Sequence, residues 1–248
     1  MNMRGIYATW LREMISFFRE KPRVISSAVS PIFWLVTFGA GLGATVTISG
    51  MNYQQFIFAG ILTQTFLFSS IFFGAYLVWD RKIDFLKAIL VSPLSRSSIF
   101  LGKVSGGVTI SLIQALIVLA FGVFIGIKYT IFSFALTMLT VVVASAGLVA
   151  IGLIIGSFMT SPEGFQLLIT FVIFPLFFLS GALFPLKNLP SYLVFLTSIN
   201  PLTYIVDILR GLLTGFQYFS TLENVLVLLI FTIVANLLGV QAFKRMRA

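Results

Sequence analysis

Polar and apolar positions divide the chain into long apolar runs separated by short polar breaks. Residues 3 to 20 place Tyr7, Trp10, Leu11, Met14 and Phe18 at helical spacing, opposite Arg12, Ser16, Arg19 and Glu20. That pattern predicts an amphipathic helix in the headgroup layer, spanning about residues 1 to 22 with its lead-in. Its scattered charges spoil the basic start, apolar core and cleavage site of a signal peptide, so the segment is expected to stay on the mature protein. Six apolar runs follow, at about Val24–Ile48, Phe56–Trp79, Val104–Ile127, Phe132–Met159, Phe165–Phe184 and Leu222–Phe243. Each reaches the roughly 20 residues that cross a bilayer as a helix, without the alternation of a membrane barrel strand. The expected fold is therefore all-α and polytopic, in one domain over residues 1 to 248.

Two breaks are long. Residues 80 to 103, "DRKIDFLKAILVSPLSRSSIFLGK", are too polar to span and contain a short helical pattern ending near Ser92-Pro93. Residues 180 to 213, "SGALFPLKNLPSYLVFLTSINPLTYIVDILRGLL", carry Pro185, Pro190 and Pro201, which prevent one continuous helix. Freed backbone of this kind is tolerated at membrane depth only when it is buried in protein or lines a cavity. Asp207 and Arg210 lie three apart on the renewed helical pattern, close enough to pair. They would either cap a surface helix or belong to a gate.

Composition supports the membrane reading: 59% of the 248 residues are hydrophobic, 9% are charged, and mean hydropathy is +1.09. A soluble domain carries about 25% charged residues. The net charge of +9 would suggest nucleic acid in a soluble protein, but here the basic residues flank apolar runs and set topology, so no nucleic-acid partner is expected. With the N-terminus inside, thirteen Lys and Arg fall on the inner side, and only Lys128, Lys187 and Arg210 on the outer. This bias predicts both termini and the 80 to 103 segment in the cytoplasm, and the 185 to 215 segment outside.

Catalysis finds little support. Cysteine and histidine are absent, which removes thiol nucleophiles and the commonest metal ligand. The seven acidic residues fall mostly at span ends or in loops and form no catalytic constellation. Gly102-Lys103 lacks the other residues of a phosphate-binding loop. Neither an enzyme nor a metal site is expected, and any nucleotide hydrolysis would belong to another chain. The glycine pairs Gly122/Gly126 and Gly152/Gly156 permit close helix packing, more naturally within one subunit than across a dimer. Gln64, Gln114, Gln166 and Asn236 are mid-span amides that either join helices or line a polar path.

Taken together, the interfacial helix, six spans, "LVSPLSRSSIFLGK" (Leu90 to Lys103) and "NPLTYIVDILRGLLTG" before the last span resemble the ABC-2 family of transporter permeases. The likeness covers nearly the whole chain. It implies the membrane half of an ATP-driven exporter: two permease copies, as a homodimer or with a close relative, in the cell membrane, with two separate ATPase subunits that bind ATP and Mg. It implies that the helix after the second span is the coupling helix, with Arg81, Asp84, Phe85, Lys87, Ala88 and Leu90 as candidate ATPase contacts. It also implies a re-entrant helical hairpin on the outside, with Asn200, Pro201, Tyr204, Asp207 and Arg210 as candidate gate residues. The first and fifth spans would meet across the dimer, where a drug, lipid or lipid-linked glycan would pass. An ion-coupled secondary transporter would need ionisable groups near mid-membrane; a non-transporting assembly factor is the third alternative.

Overall fold

The computed structural model describes residues 3–43, 47–48, 50–84, 94–187 and 189–246. Nine helices account for most of them: α1 (Met3–Arg19), α2 (Lys21–Gly43), α3 (Tyr53–Lys82), α4 (Arg96–Phe124), α5 (Ile131–Phe158), α6 (Pro162–Phe178), α7 (Ser191–Ile199), α8 (Pro201–Thr214) and α9 (Thr221–Arg245). A small antiparallel ribbon, β1 (Thr47–Ile48) with β2 (Met51–Asn52), connects α2 to α3. Among the described residues α3, α4, α5 and α9 are long and apolar enough to cross a membrane.

The helix starts follow from local chemistry. Ser95, Ser161, Asn200 and Ser220 each accept a backbone N–H of the first turn of α4, α6, α8 and α9. Thr130 and Ser133 form a reciprocal capping box at the start of α5. Each such cap satisfies a donor that the helix cannot, worth about 1 kcal/mol.

Several expected boundaries shift. The first apolar run does not stay helical to Ile48: α2 ends at Gly43, and the ribbon turns back through Gly50, whose φ of 79° suits glycine. The fifth run stops at Phe178 instead of Phe184, because the chain turns at Gly181 (φ 70°). Within α6 a π turn at Ile169–Ile173 ends two residues before Pro175; the wider turn accommodates a residue that lacks an N–H and crowds the carbonyl four residues back. The 80 to 103 segment shrinks at both ends, since α3 runs to Lys82 and α4 begins at Arg96.

The core gathers around α3. Phe56, Phe58, Phe66 and Phe73 are fully buried, enclosed by α2, α4, α5 and α8. Gly74, Gly152 and Gly156 let the backbones of α3 and α5 touch: a Cβ on any of them would collide with a facing main-chain carbonyl. Gly122 and Gly126 do not make a comparable helix contact. Gly122 lies under Tyr129 and Phe58, and Gly126 adopts φ 85° in the turn after α4. Most of α9 remains open, with Leu226, Leu229, Ile230, Ile233 and Leu237 exposed along its length.

Candidate functional site

Three places concentrate polar chemistry. The first joins α1, α3 and α4 at the basic end of the bundle. Glycines at 102 and 106 draw α1 against α4: a Cβ at Gly102 would meet Thr9, and one at Gly106 would meet Glu13. Lys103, fully buried between them, donates to Glu13 Oε1 at 2.9 Å and to Asp80 Oδ2 at 3.0 Å. Arg12 reaches the other oxygen of Asp80 at 2.7 Å and lies 3.4 Å from Glu13. Burial works to lower the Arg12 pKa, but the hydrogen bond and charge of Asp80, with the charge of Glu13, outweigh it and leave the pKa raised. Two cations and two carboxylates thus form a neutral, mutually bonded group, the arrangement that buried charge requires.

This cluster was not legible from the chain. The residue pattern puts Lys103 at the end of the polar 80 to 103 break and Glu13 within the 3 to 20 amphipathic pattern; in the structure Ser95 starts α4 early enough to carry Lys103 two turns into the helix. The Ser95 cap was the available signal. On α1 the packed face is Gly5, Thr9, Glu13, Met14 and Phe17, whereas Tyr7, Leu11, Ile15 and Phe18 are exposed. Met14 therefore belongs to the packed face, apart from the expected apolar stripe.

Two of the candidate coupling residues, Arg81 and Asp84, follow Asp80 in the chain. Arg81 donates to Met159 O at 2.6 Å and Ser157 O at 2.9 Å, capping the C-terminal carbonyls of α5. Arg96 does the same for Met246 O at the end of α9. Asp84 ends the α3 turn with a left-handed φ of 57°, a conformation that aspartate tolerates better than most residues. Phe85, Lys87, Ala88 and Leu90 lie outside the described residues.

The second place is the bent pair α7 and α8, which meet at 85°. Asn200 caps α8 and donates to Leu176 O at 2.6 Å, and Pro201 fills the first helical position, where its missing N–H costs nothing. The Tyr204 hydroxyl reaches back to Ser198 O at 2.7 Å. Asp207 and Arg210 sit on this helix, but no direct ion pair joins them among the described residues. Asp207 accepts from the backbone N–H groups of Tyr218 and Phe219 at 2.8 and 2.9 Å, and from Asn224 at 2.8 Å. Arg210 donates to Gly181 O at 2.7 Å and to Phe56 O and Ala182 O at 3.4 Å each, with its guanidinium 4.0 Å from the Phe56 ring centroid. Each charge finds better-matched partners than the other: backbone donors for the carboxylate, turn carbonyls for the planar fork. Five candidate gate residues thus come together as a brace between α3, α6, α8 and α9.

The third place is a groove of about 370 Å³ between α2, α3 and α4. Ser26, Ser27 and Ser30 line it from α2, Gln64, Thr65 and Ser69 from α3, and Gln114 from α4. Trp34, Phe68, Phe72 and Tyr76 supply aromatic walls, and Arg23 stands at one end over the Tyr76 ring, 4.1 Å from its centroid. Asn236 differs from these glutamines: it joins helices, donating to Ala146 O and Thr232 O.

A packed set of apolar helices with charge gathered at one end defines an α-helical integral membrane protein, and comparison with known proteins sets its class as a transport permease. The profile of the family described as ABC-2 type transporter matches residues 4–214, and the chain belongs to that family. It is 33% identical to a transport permease named ycf38 of Cyanophora paradoxa, across 94% of this chain and 86% of that one. It is 27% identical to the inner membrane transport permease YadH of Escherichia coli strain K12, across 86% and 82% of the two chains. Nodulation protein J of Rhizobium leguminosarum bv. viciae is 25% identical across 96% and 93%.

Proposed function

We propose that this chain is the membrane subunit of an ATP-driven exporter, energised by two copies of a separate soluble ATPase that binds ATP and Mg. The observation that carries the reading is the buried charge cluster. Asp80 and Lys103 flank residues 85–93 on the two sides, and both bond within the same group as Glu13 and Arg12. A displacement of that segment by an ATPase would therefore reach α1, α3 and α4 as one unit. Arg81, Asp84, Phe85, Lys87, Ala88 and Leu90 are the proposed contact region, although the hydrogen bonds of Arg81 give it a share in holding α5.

In this reading α2, α3, α4, α5, α6 and α9 are the six spans. At about 35 Å, α2 is long enough to cross, with Lys21 and Arg23 at its start. The exposed stripe of α1 lies in the headgroup layer on the cytoplasmic side. The pair α7 and α8 dips from outside as a re-entrant hairpin, with Asn200, Pro201, Tyr204, Asp207 and Arg210 bracing the exit. Ile25, Val29 and Phe33 on α2, with Phe171 and Phe178 on α6, are exposed apolar positions that suit contact with a second copy. ATP binding biases two such halves toward an outward-open arrangement through interactions that differ between the states. The cargo is an amphiphile.

Purification in mild detergent with the ATPase encoded beside it tests this. The complex should hydrolyse ATP, and alanine at Asp84 and Lys87 should uncouple hydrolysis from transport. Recovery of the permease without any ATPase, or transport driven by an ion gradient with no ATP, would overturn the proposal.

A further inference from the structure

The C-terminal ends of α5 and α9 enclose a second groove, of about 550 Å³, whose lining includes Arg81, Ser157, Phe158, Leu238, Gln241 and Arg245. Its positive charge is uncompensated. Arg81 directs one N–H to Met159 O and one to Ser157 O; a guanidinium carries five, so three are left for a ligand. Arg245, exposed on the last turn of α9, forms no hydrogen bond or ion pair among the described residues. No Asp or Glu is among the described residues lining the groove, and Glu163, in the first turn of α6, lies 3.7 Å from Lys82. Two arginines with N–H groups to give and no carboxylate to take them call for an anion, and the planar fork of arginine matches a phosphate in particular.

The groove does not end at its charges. Phe158 and Leu238 are 75% and 50% exposed, and Val234 and Ile230, also exposed, precede Leu238 at intervals of four residues. Residues four apart share one face of a helix, so an apolar stripe runs from the arginine end toward the middle of α9 for about 12 Å. One leaflet of hydrocarbon is roughly 15 Å thick. Inorganic phosphate, or an acidic segment of a soluble subunit, would engage the arginines and leave the stripe bare. A phospholipid engages both. Basic pockets between membrane helices suit acidic lipid headgroups, and a headgroup that adds a cation beside its phosphate would find no lining carboxylate among the described residues to receive it.

We propose that the groove between the ends of α5 and α9 holds the phosphate of an acidic phospholipid between Arg81 and Arg245, with an acyl chain along Leu238, Val234 and Ile230. The lipid is a resident ligand of the fold and not cargo. Its phosphate joins Arg245 on α9 to Arg81 on α3, and Arg81 already holds the end of α5, so one headgroup ties three helix ends. The assignment goes beyond the exporter reading and needs no ATPase, only a bilayer around α9.

The test places the full chain in phosphatidylcholine nanodiscs that carry a small fraction of phosphatidylglycerol with a photoactivatable group in one acyl chain, and maps crosslinked positions by mass spectrometry. Labelling should fall on Ile154, Phe158 and the stretch from Ile230 to Leu238, and a phosphatidylcholine probe at the same fraction should label them about tenfold less. Arg245→Gln should weaken phosphatidylglycerol labelling about tenfold, the loss of one charge-assisted partner. It should leave the unfolding temperature in lipid-free detergent unchanged, because Arg245 has no partner there to lose. Lys244→Gln, at the neighbouring position and outside the groove lining, should leave labelling as it is. Equal labelling by the phosphatidylcholine probe, or an equal effect of Lys244→Gln, overturns the proposal by reducing it to general surface charge. Labelling confined to the exposed face of α1 overturns it as well, and so does an Arg245→Gln variant that unfolds earlier and labels normally. Suppression by millimolar inorganic phosphate would make this a site for a soluble anion, and loss of labelling once an ATPase is bound would give the groove to that subunit; either result overturns the lipid assignment. Hydrolysis and transport have no part in the readout, so failure here leaves the exporter reading standing, and success leaves it to its own test.

Discussion

At the scale of single residues, the charged side chains that look most like surface features hold the interior together. Lys103 is enclosed by Glu13 and Asp80, so its removal leaves two carboxylates in a low-dielectric site with Arg12 alone to balance them. Lys103→Ala is expected to lower stability by about 3–5 kcal/mol, read as a fall in thermal unfolding temperature in detergent. Lys103→Met combined with Glu13→Gln should recover much of that loss, because the second change removes the stranded charge. Arg210 makes a parallel case. Its three carbonyl partners are buried, and Arg210→Ala should cost at least about 3 kcal/mol and loosen the turn at Gly181. If the variant still assembles and hydrolyses ATP but does not transport, the brace serves the exit. Loss of assembly along with transport assigns it to folding.

At the scale of elements, α3 and α5 are joined by backbone contact, with little side-chain cushioning. Gly152→Leu would drive a side chain into the Ile71 carbonyl and should destabilise by about 1–3 kcal/mol. The same change at Gly41, where a Cβ would meet nothing within 4 Å, should leave the unfolding temperature nearly unchanged. The helices themselves were largely legible: the apolar runs of α3, α5 and α9 announce their lengths within a few residues. What was not legible depends on partners far along the chain. Lys103 bonds to residues 90 and 23 positions away, and no local pattern separates it from an ordinary flanking charge. Asp207 and Arg210 were visible as a pair by spacing, yet their true partners are main-chain groups of turns at 181–182 and 218–219. Spacing along one helix says which residues are near, and turns elsewhere decide which way they point.

At the scale of the whole molecule, one end of the bundle is tied by its own basic residues. Arg81 links α3 to the end of α5, Arg96 links α4 to the end of α9, and Lys103 links α4 to α3 and α1. Those contacts require that the end of α3, the start of α4 and the ends of α5 and α9 share one side, whichever side that is. The excess of Lys and Arg there points to the cytoplasm, and the ATPase reading depends on it, since residues 85–93 follow α3 and precede α4 in the sequence. A chain without cysteine allows a direct measurement by single cysteines at exposed positions. With a membrane-impermeant maleimide on intact cells, Lys128→Cys and Lys187→Cys should label at once. Arg19→Cys and Arg245→Cys should label only after the membrane is permeabilised. Labelling of Arg245→Cys in intact cells would turn the bundle over, put residues 85–93 outside, and leave no side on which a cytoplasmic ATPase could act.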